Sequence, residues 1–387
     1  MQLALTEDEL AFRDELRAFF RSEIPADIRN RHRHGQELSR EDIVTTQRIL
    51  NAHHLAVPNW PVEWGGRDWT PVQRHLWHDE MQLASVPEPL TFNVNMIGPV
   101  IAQFGSPELG SRFLPATANL DIWWCQGFSE PEAGSDLASL RTTAVRDGDS
   151  YVVNGQKTWT TLAQSADWMF CLARTDPDAP KKQAGISMLL FPLDAPGVTV
   201  RPIELIDGSH EVNEVFLSDV RVPAEQLVGA ENSGWTYAKF LLGNERTGIA
   251  GVGQTKVKLW LAKEYARRSP AGERTLLEDP VFAARLAELE NELLALELVQ
   301  LRVAAGSADG RPDPVSSILK LRGTELQQAV TELTVDIAGP DSVAREGDTQ
   351  DWARRSTAAY LNYRKTSIYG GSNEVQRGIV ASTILGL

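Results

Sequence analysis

Cysteine is almost missing from this chain of 387 residues: only Cys125 and Cys171 are present. Two thiols build neither a disulfide framework nor a cysteine-based zinc site, and a reducing compartment suits them. Positive charge is also scarce. Thirty-eight Lys and Arg face 52 Asp and Glu, for a net charge of −14. Binding a nucleic-acid backbone needs a basic face, so nucleic acid is excluded as the main partner, although a small anion held by a few local cations is not. No apolar run has the length of a membrane span. Met1 to Ile24 alternates charged and apolar residues and lacks the apolar core of a signal peptide, so a soluble, cytoplasmic protein is expected. The seven histidines, His32, His34, His53, His54, His75, His78 and His210, show no metal-ligand spacing and read as surface or packing residues; no metal is expected.

What remains is an ordinary globular composition, 42% hydrophobic and 23% charged, in a chain long enough for two or three packed units. The pattern along it changes twice. Thr6 precedes an acidic first turn (Glu7, Asp8, Glu9), and Leu10, Phe12, Leu16, Phe19 and Phe20 follow at helical spacing. A second helix fits Ser39 to His54. A Pro- and Gly-rich loop from Pro58 to Gly66 separates it from further helices near Pro71 and Asn93. From about Leu120 short β-type runs take over: Tyr151 to Val153, Trp168 to Leu172, Ile186 to Phe191, Val198 to Val200 and Val212 to Leu217. Asp147-Gly148 and Asn154-Gly155 read as hairpin turns between them. After Gly234 the pattern is helical again. Trp235 to Arg268 reads as one long helix, Glu278 to Ala305 and Pro314 to Ile337 as two more, and Ser372 as the cap of the last. The expected class is α+β: an N-terminal helical domain (1–119), a central antiparallel β-domain (120–232) and a C-terminal four-helix bundle (233–387).

Four segments concentrate polar and glycine residues. Phe128-Ser129-Glu130-Pro131-Glu132-Ala133-Gly134-Ser135-Asp136 interrupts an apolar strand; it offers amides and hydroxyls to a polar ligand, and a plain turn explains it at least as well. Asn154-Gly155-Gln156-Lys157-Thr158-Trp159-Thr160-Thr161 sets an indole among hydroxyls, either for a flat cofactor or for the core. Gly243-Asn244-Glu245-Arg246-Thr247-Gly248 is a polar stretch in an apolar helix. A buried carboxylate there gains a raised pKa suited to a general base, or else forms a structural Glu–Arg pair. Tyr369-Gly370-Gly371-Ser372-Asn373-Glu374-Val375-Gln376-Arg377 puts two glycines before a helix N-terminus, for a ligand's close approach or for a turn and cap.

In this order and spacing the loop, the Trp strand and the C-terminal helix start resemble the acyl-CoA dehydrogenase family, over nearly the whole chain. Family members hold FAD between the β-domain and the C-terminal bundle. The resemblance implies that Gln126, Phe128 and Ser129 lie along the flavin, that Trp159 covers a ring face and that Thr161 bonds near N5. It implies Ser372 and Glu374 near the cofactor's polar chain, and Ser135 on the acyl-CoA side. The implied reaction makes a trans-2-enoyl-CoA: a base removes the α-proton, a β-hydride passes to flavin N5, and the Gly370 backbone N–H helps to stabilise the enolate oxygen. Electrons then pass to an electron-transfer flavoprotein.

Two departures from the family pattern matter. Most members carry the base directly after the tyrosine of the C-terminal motif, where this chain has Gly370. A minority, including isovaleryl- and long-chain acyl-CoA dehydrogenases, place Glu before Arg on a bundle helix, which Glu245-Arg246 matches; the implied base is Glu245, with Arg246 anchoring substrate. The family's adenine-contacting segments are altered at Arg274 to Pro280 and at Gly339-Pro340-Asp341. The wording of the motifs is nearest to a bacterial branch with pimeloyl-CoA dehydrogenase large subunits and steroid-degradation enzymes, several of them α2β2 heterotetramers. A homo-oligomer or such a heterotetramer with a second dehydrogenase-like chain is therefore expected. A non-catalytic FAD-binding partner subunit and an oxygen-using flavoenzyme on the same fold stand as alternatives.

Overall fold

Thr6 starts the first helix as its sequence suggests: its hydroxyl accepts from the Glu9 N–H, and the Glu9 carboxylate accepts from the Thr6 N–H. The structure is a computed structural model. It describes residues 5–306, 314–344 and 351–387, with side chains for all of these except 243–249 and 304–306. The helices are α1 (Glu7–Ser22), α2 (Ala26–Arg33), α3 (Arg40–Ala52), α4 (Pro71–Leu83), α5 (Gly98–Phe104) and α6 (Pro107–Ala118), then α7 (Gly234–Ile249), α8 (Val252–Ala266), α9 (Pro280–Gly306), α10 (Ser316–Ala338), α11 (Asp351–Asn362) and α12 (Asn373–Val380). Between α6 and α7 run strands β1 (Trp124–Gly127), β2 (Thr143–Asp147), β3 (Ser150–Thr161), β4 (Trp168–Arg174), β5 (Ile186–Pro192), β6 (Val198–Ile203) and β7 (Val212–Pro223). Helices, then a sheet, then helices give the α+β class. No helix among the described residues is long and apolar enough to cross a membrane.

The residues group into two compact units. One contains Ile43–Asp68 and Pro89–Glu245, and therefore the sheet; the other contains Met1–Asp42, Trp69–Glu88 and Arg246–Leu387, and is helical. The sheet runs β1-β4-β2-β3-β7-β6, with β5 on the other side of β4. Most pairings are antiparallel, but β1 joins β4 in parallel, from Trp124 opposite Trp168 to Gly127 opposite Cys171, and β2 meets β4 in parallel at Thr143 and Arg174. The continuous apolar runs of β4 and β5 are explained by burial on both faces. Cys125, Tyr151, Val153, Met169, Cys171, Leu189, Phe191, Val215 and Val220 share one core. Burial pushes the Cys171 thiol up to about 11 and Cys125 higher still, so both serve as packing groups.

Two local expectations are corrected. Asp147-Gly148 does open a hairpin, with Asp147 paired to Ser150 and Gly148 at φ +60°. Asn154-Gly155 does not turn the chain; it lies inside β3, where the pairing with β7 shifts register between Val153 and Gly155. The glycine is needed there for space, since a Cβ would lie 2.3 Å from Thr142 Oγ1. Asn154 bonds sideways, its amide donating to Asp219 Oδ1 and its oxygen accepting from the Asp219 N–H. The signal marked a bulge.

Nor is Trp235 to Arg268 one helix. Gly251 takes φ +57° and ends α7 before α8 begins. Helix α10 seats this break in the helical unit. Gln327 Nε2 donates to the Ala250 carbonyl at 2.9 Å, and Gly323 gives Ala250 room: a Cβ at 323 would lie 2.6 Å from the Ala250 Cα. We expect Gly323→Val to cost about 1–3 kcal/mol by overpacking a backbone that cannot step aside. The check is a drop of several degrees in melting temperature, with Val303→Ile as a control for added bulk elsewhere in the bundle.

Candidate functional site

In the sheet unit the first two polar motifs are joined by a buried ion pair. Lys157 is 0% and Glu130 6% accessible at the side chain, and Nζ lies 2.7 Å from Oε1. The same ammonium donates to the Phe128 carbonyl at 3.2 Å. Glu130 Oε1 also accepts from the Thr142 N–H, and Oε2 from the Arg141 N–H. Burial alone would raise the Glu130 pKa; the Lys157 charge and these hydrogen bonds outweigh it and hold the carboxyl below its ordinary 4.5. The backbone completes the junction, with the Thr158 N–H donating to the Ser129 carbonyl at 2.9 Å and Glu130 and Ala133 bonding each other across a tight turn.

Loop and strand are thus held with Phe128 and Ser129 beside Thr158 and Trp159. The Phe128 ring packs edge-on to Phe170, while Gln126 and Ser129 are half-buried. Trp159 is unusual: it takes φ +56° and leaves 59% of its surface open. A left-handed conformation costs a large residue about 1–3 kcal/mol. Thr158 and Thr160 on either side are buried, and β3 shifts its register against β7 between Lys157 and Thr160. The bulge turns the indole out as a flat, exposed face. Thr161, half-buried, ends the strand opposite Val212. Ser135 is exposed at the far end of the loop, next to Asp136, which with Ser139 meets the Lys182 ammonium.

In the helical unit the C-terminal motif is built around Gln376. Gly370 and Gly371 take φ +63° and +82°. Gln376 Nε2 donates to both their carbonyls, at 3.1 and 3.4 Å. Among the described residues no acceptor meets the Gly370 N–H, and Gln376 Oε1 is buried without a partner. Ser372 caps α12 by accepting from the Val375 N–H. Glu374 is exposed in the first turn; the helix-end amide and the Ser372 hydroxyl hold its carboxyl below the usual range. Sequence reasoning missed Lys320, which is fully buried on α10 and donates to Asn373 Oδ1 at 2.9 Å. Its signal was the spacing of Lys320, Gly323, Thr324 and Gln327, one helical face that seats both Asn373 and Ala250.

Glu245 and Arg246 stand near the end of α7; their side chains lie outside the described residues. The structure therefore groups Gln126, Phe128, Ser129, Trp159 and Thr161 in the sheet unit, with Ser135 on the same loop, and Gly370, Ser372 and Glu374 in the helical unit. No group of three or more His, Cys, Asp or Glu placed to hold a metal ion occurs among the described residues.

Comparison with known proteins adds a family assignment. Residues 6–121, 125–220 and 232–385 match, in turn, the N-terminal, middle and C-terminal domains of acyl-CoA dehydrogenase. The chain is 40% identical over 343 residues to acyl-CoA dehydrogenase IpdE1 of Mycobacterium tuberculosis, covering 87% of this chain and 86% of that one. It is 34% identical to acyl-CoA dehydrogenase FadE29 of the same organism, covering 99% and 98%. Among solved structures it resembles the Tcur3481-Tcur3483 steroid ACAD, with a TM-score of 0.88 and 31% identity over 100% of this chain and 99% of that one. It also resembles the ChsE4-ChsE5 complex from M. tuberculosis, with a TM-score of 0.86 and 32% identity over 100% and 99%.

Removing the ion-pair cation should be costly. Lys157→Met leaves a buried, unpaired carboxylate and is expected to lower stability by about 3–5 kcal/mol in urea unfolding. The pair also sets an acid response. Because the Glu130 pKa is depressed on folding, its stabilisation is present above about pH 4.5 and is lost as pH falls through the folded value. Acid titrations should show a steeper loss of stability in the wild type than in Lys157→Met, whose Glu130 lacks the charge that most lowers its pKa.

Proposed function

The chain belongs to the acyl-CoA dehydrogenase family of flavoprotein oxidoreductases, and on that premise we propose that it uses FAD to convert an acyl-CoA into its trans-2-enoyl-CoA, with Glu245 as the α-proton base. The observation that carries the reading is Trp159. An exposed indole held at φ +56° between buried threonines is an expensive arrangement with no internal purpose, and it fits a flat ring such as a flavin. When bound, the flavin supplies the acceptor for the β-hydride.

The chain's own residues have the remaining tasks. Glu245 takes the α-proton; it stands on α7, and no carboxylate occupies position 370. The Gly370 N–H, which has no acceptor among the described residues, donates to the thioester oxygen and stabilises the negative charge that develops there. Gln376 supports this by holding the Gly370 and Gly371 carbonyls. Gln126, Phe128, Ser129, Thr161, Ser372 and Glu374 contact the cofactor, while Ser135 and Arg246 contact the acyl-CoA. Electrons leave to an electron-transfer flavoprotein.

Two solved relatives are described by pairs of chain names, one of them as a complex and one as a steroid ACAD. We infer a polycyclic or branched acyl group and assembly with a second dehydrogenase-like chain or a second copy. The absence of a carboxylate at Gly370 also motivates a second reading, a cofactor-binding partner subunit whose mate performs the chemistry.

One experiment separates the two. Glu245→Gln should keep its bound flavin, visible in the absorption spectrum, while anaerobic bleaching by acyl-CoA slows by about 10²-fold or more. Unchanged bleaching would sink Glu245 as the base, while a wild-type chain that is bleached only when a second chain is present would favour the partner-subunit reading.

A further inference from the structure

The Lys157–Glu130 junction holds β3 on the N-terminal side of Trp159. A second clamp lies on the C-terminal side, and the chemistry proposed above does not use it. On β3 three steps separate Lys157 from Thr160, while their partners on β7, Val215 and Asn213, are two steps apart. The extra residue on β3 makes the bulge. Trp159 takes φ +56°, and Leu162, just past the end of the strand, takes φ +58°. Two bulky residues in the left-handed region thus bracket Thr160 and Thr161. Neither keeps that conformation unless its surroundings hold it there.

Asn213 supplies the hold. It is wholly buried, and its Nδ2 donates to the Thr160 carbonyl at 3.0 Å and to Gln164 Oε1 at 2.6 Å. Gln164 Nε2 in turn donates to the His210 carbonyl at 2.9 Å, and the Leu162 N–H donates to the Glu211 carbonyl at 2.7 Å. His210 and Glu211 end the loop between β6 and β7. A backbone carbonyl stands at each end of this relay, so neither amide can be turned over: either flip would set oxygen against oxygen. Asn213 Oδ1 and the Thr160 hydroxyl meet no partner among the described residues. A leucine and a valine in the same space would avoid that penalty. What the Asn213 amide adds is the pair of bonds it donates.

The bond to Thr160 acts on the residues beside it. The peptide that joins Thr160 to Thr161 is planar and trans, so fixing its carbonyl also fixes the direction of the Thr161 N–H. On the other side Leu162 is tied to Glu211. Thr161 is therefore located through the peptides before and after it. Trp159 is located in the same way, by Thr158 bonded to the Ser129 carbonyl and by Thr160 bonded to Asn213. All of these residues belong to the sheet unit.

We propose that Asn213 is a positioning residue of the flavin site. It acts through the Thr160 carbonyl to hold the Trp159 face and the Thr161 hydroxyl against the ring, and Gln164 keeps the Asn213 amide aimed. The inference rests on the dehydrogenase reading above. Hydride transfer depends steeply on where the acceptor lies, and a displacement of about 1 Å costs roughly 10²-fold in rate. Asn213 acts at one remove from the ring, so a smaller loss is expected when its bond is taken away.

The test uses the full chain, with any second chain that co-purifies, as wild type, Asn213→Leu and Gln164→Met. The visible absorption and circular dichroism of the bound flavin are recorded, and kcat and KM are measured per bound flavin with an acyl-CoA that bleaches the wild type. We expect kcat to fall about tenfold in Asn213→Leu and about threefold in Gln164→Met, with KM moved by about twofold at most. The spectrum of the bound flavin should change in both variants. A merely structural role would lower the melting temperature and the amount of flavin-loaded protein, but not the rate or spectrum of what is loaded. That result, or wild-type rates and spectra in both variants, would overturn the positioning role and leave the dehydrogenase reading standing. Gln164 is exposed, so Gln164→Met decides the matter if Asn213→Leu fails to fold. A wild-type chain bleached by no acyl-CoA would overturn the dehydrogenase reading, and this proposal with it.

Discussion

The sheet unit depends on one charge pair with almost no water around it. Lys157 and Glu130 belong to different segments, a strand and a loop, and each neutralises the other's buried charge. Their contact is therefore a registration device. The ammonium reaches the Phe128 carbonyl as well as the carboxylate, and the carboxylate reaches two amides at the far end of the loop. A loop of small residues, which would otherwise sample many shapes, is tied at both ends to β3. An apolar pair of the same volume would fill the space without specifying those four positions. Buried ion pairs add little net stability over such a replacement, so the gain here is geometric.

The helical unit solves the same problem with a different device. One face of α10 presents a lysine, a glycine, a threonine and a glutamine in successive turns. The small residue lets the chain at Ala250 come close, and the glutamine takes its carbonyl. The lysine and threonine hold Asn373, the first residue of α12. Ala250 and the start of α12 are thus placed by a single helix.

Local signals were legible in the sequence wherever the physics was local. The caps at Thr6 and Ser372 and the hairpin at Asp147-Gly148 require only neighbouring residues, and the structure has them. Asn154-Gly155 misled because a dipeptide that suits a tight turn also suits a bulge, and the choice was made by Thr142 and Asp219, which are distant in sequence. The break at Gly251 was hidden for the same reason: glycines at 248, 251 and 253 gave no indication of which one would leave the helix until α10 packed against Ala250. The candidate site divides in the same way. Its motifs stood out by composition, but nothing local paired Glu130 with a lysine 27 residues away. Lys320 gave less warning still, since a lone lysine on a helix is ordinarily solvated.

The two cysteines give the molecule an internal clock. Both thiols are wholly buried in the sheet core, with ionisation pushed far above neutral pH. A thiolate-seeking reagent finds almost nothing to attack in the closed protein. Each reaction must wait for the strands around β1 and β4 to part, so the pace of alkylation measures how often the sheet breathes. Oxidative stress is filtered in the same way: the sulfurs are spared while the fold holds, and damage at either one records an opening that has already happened.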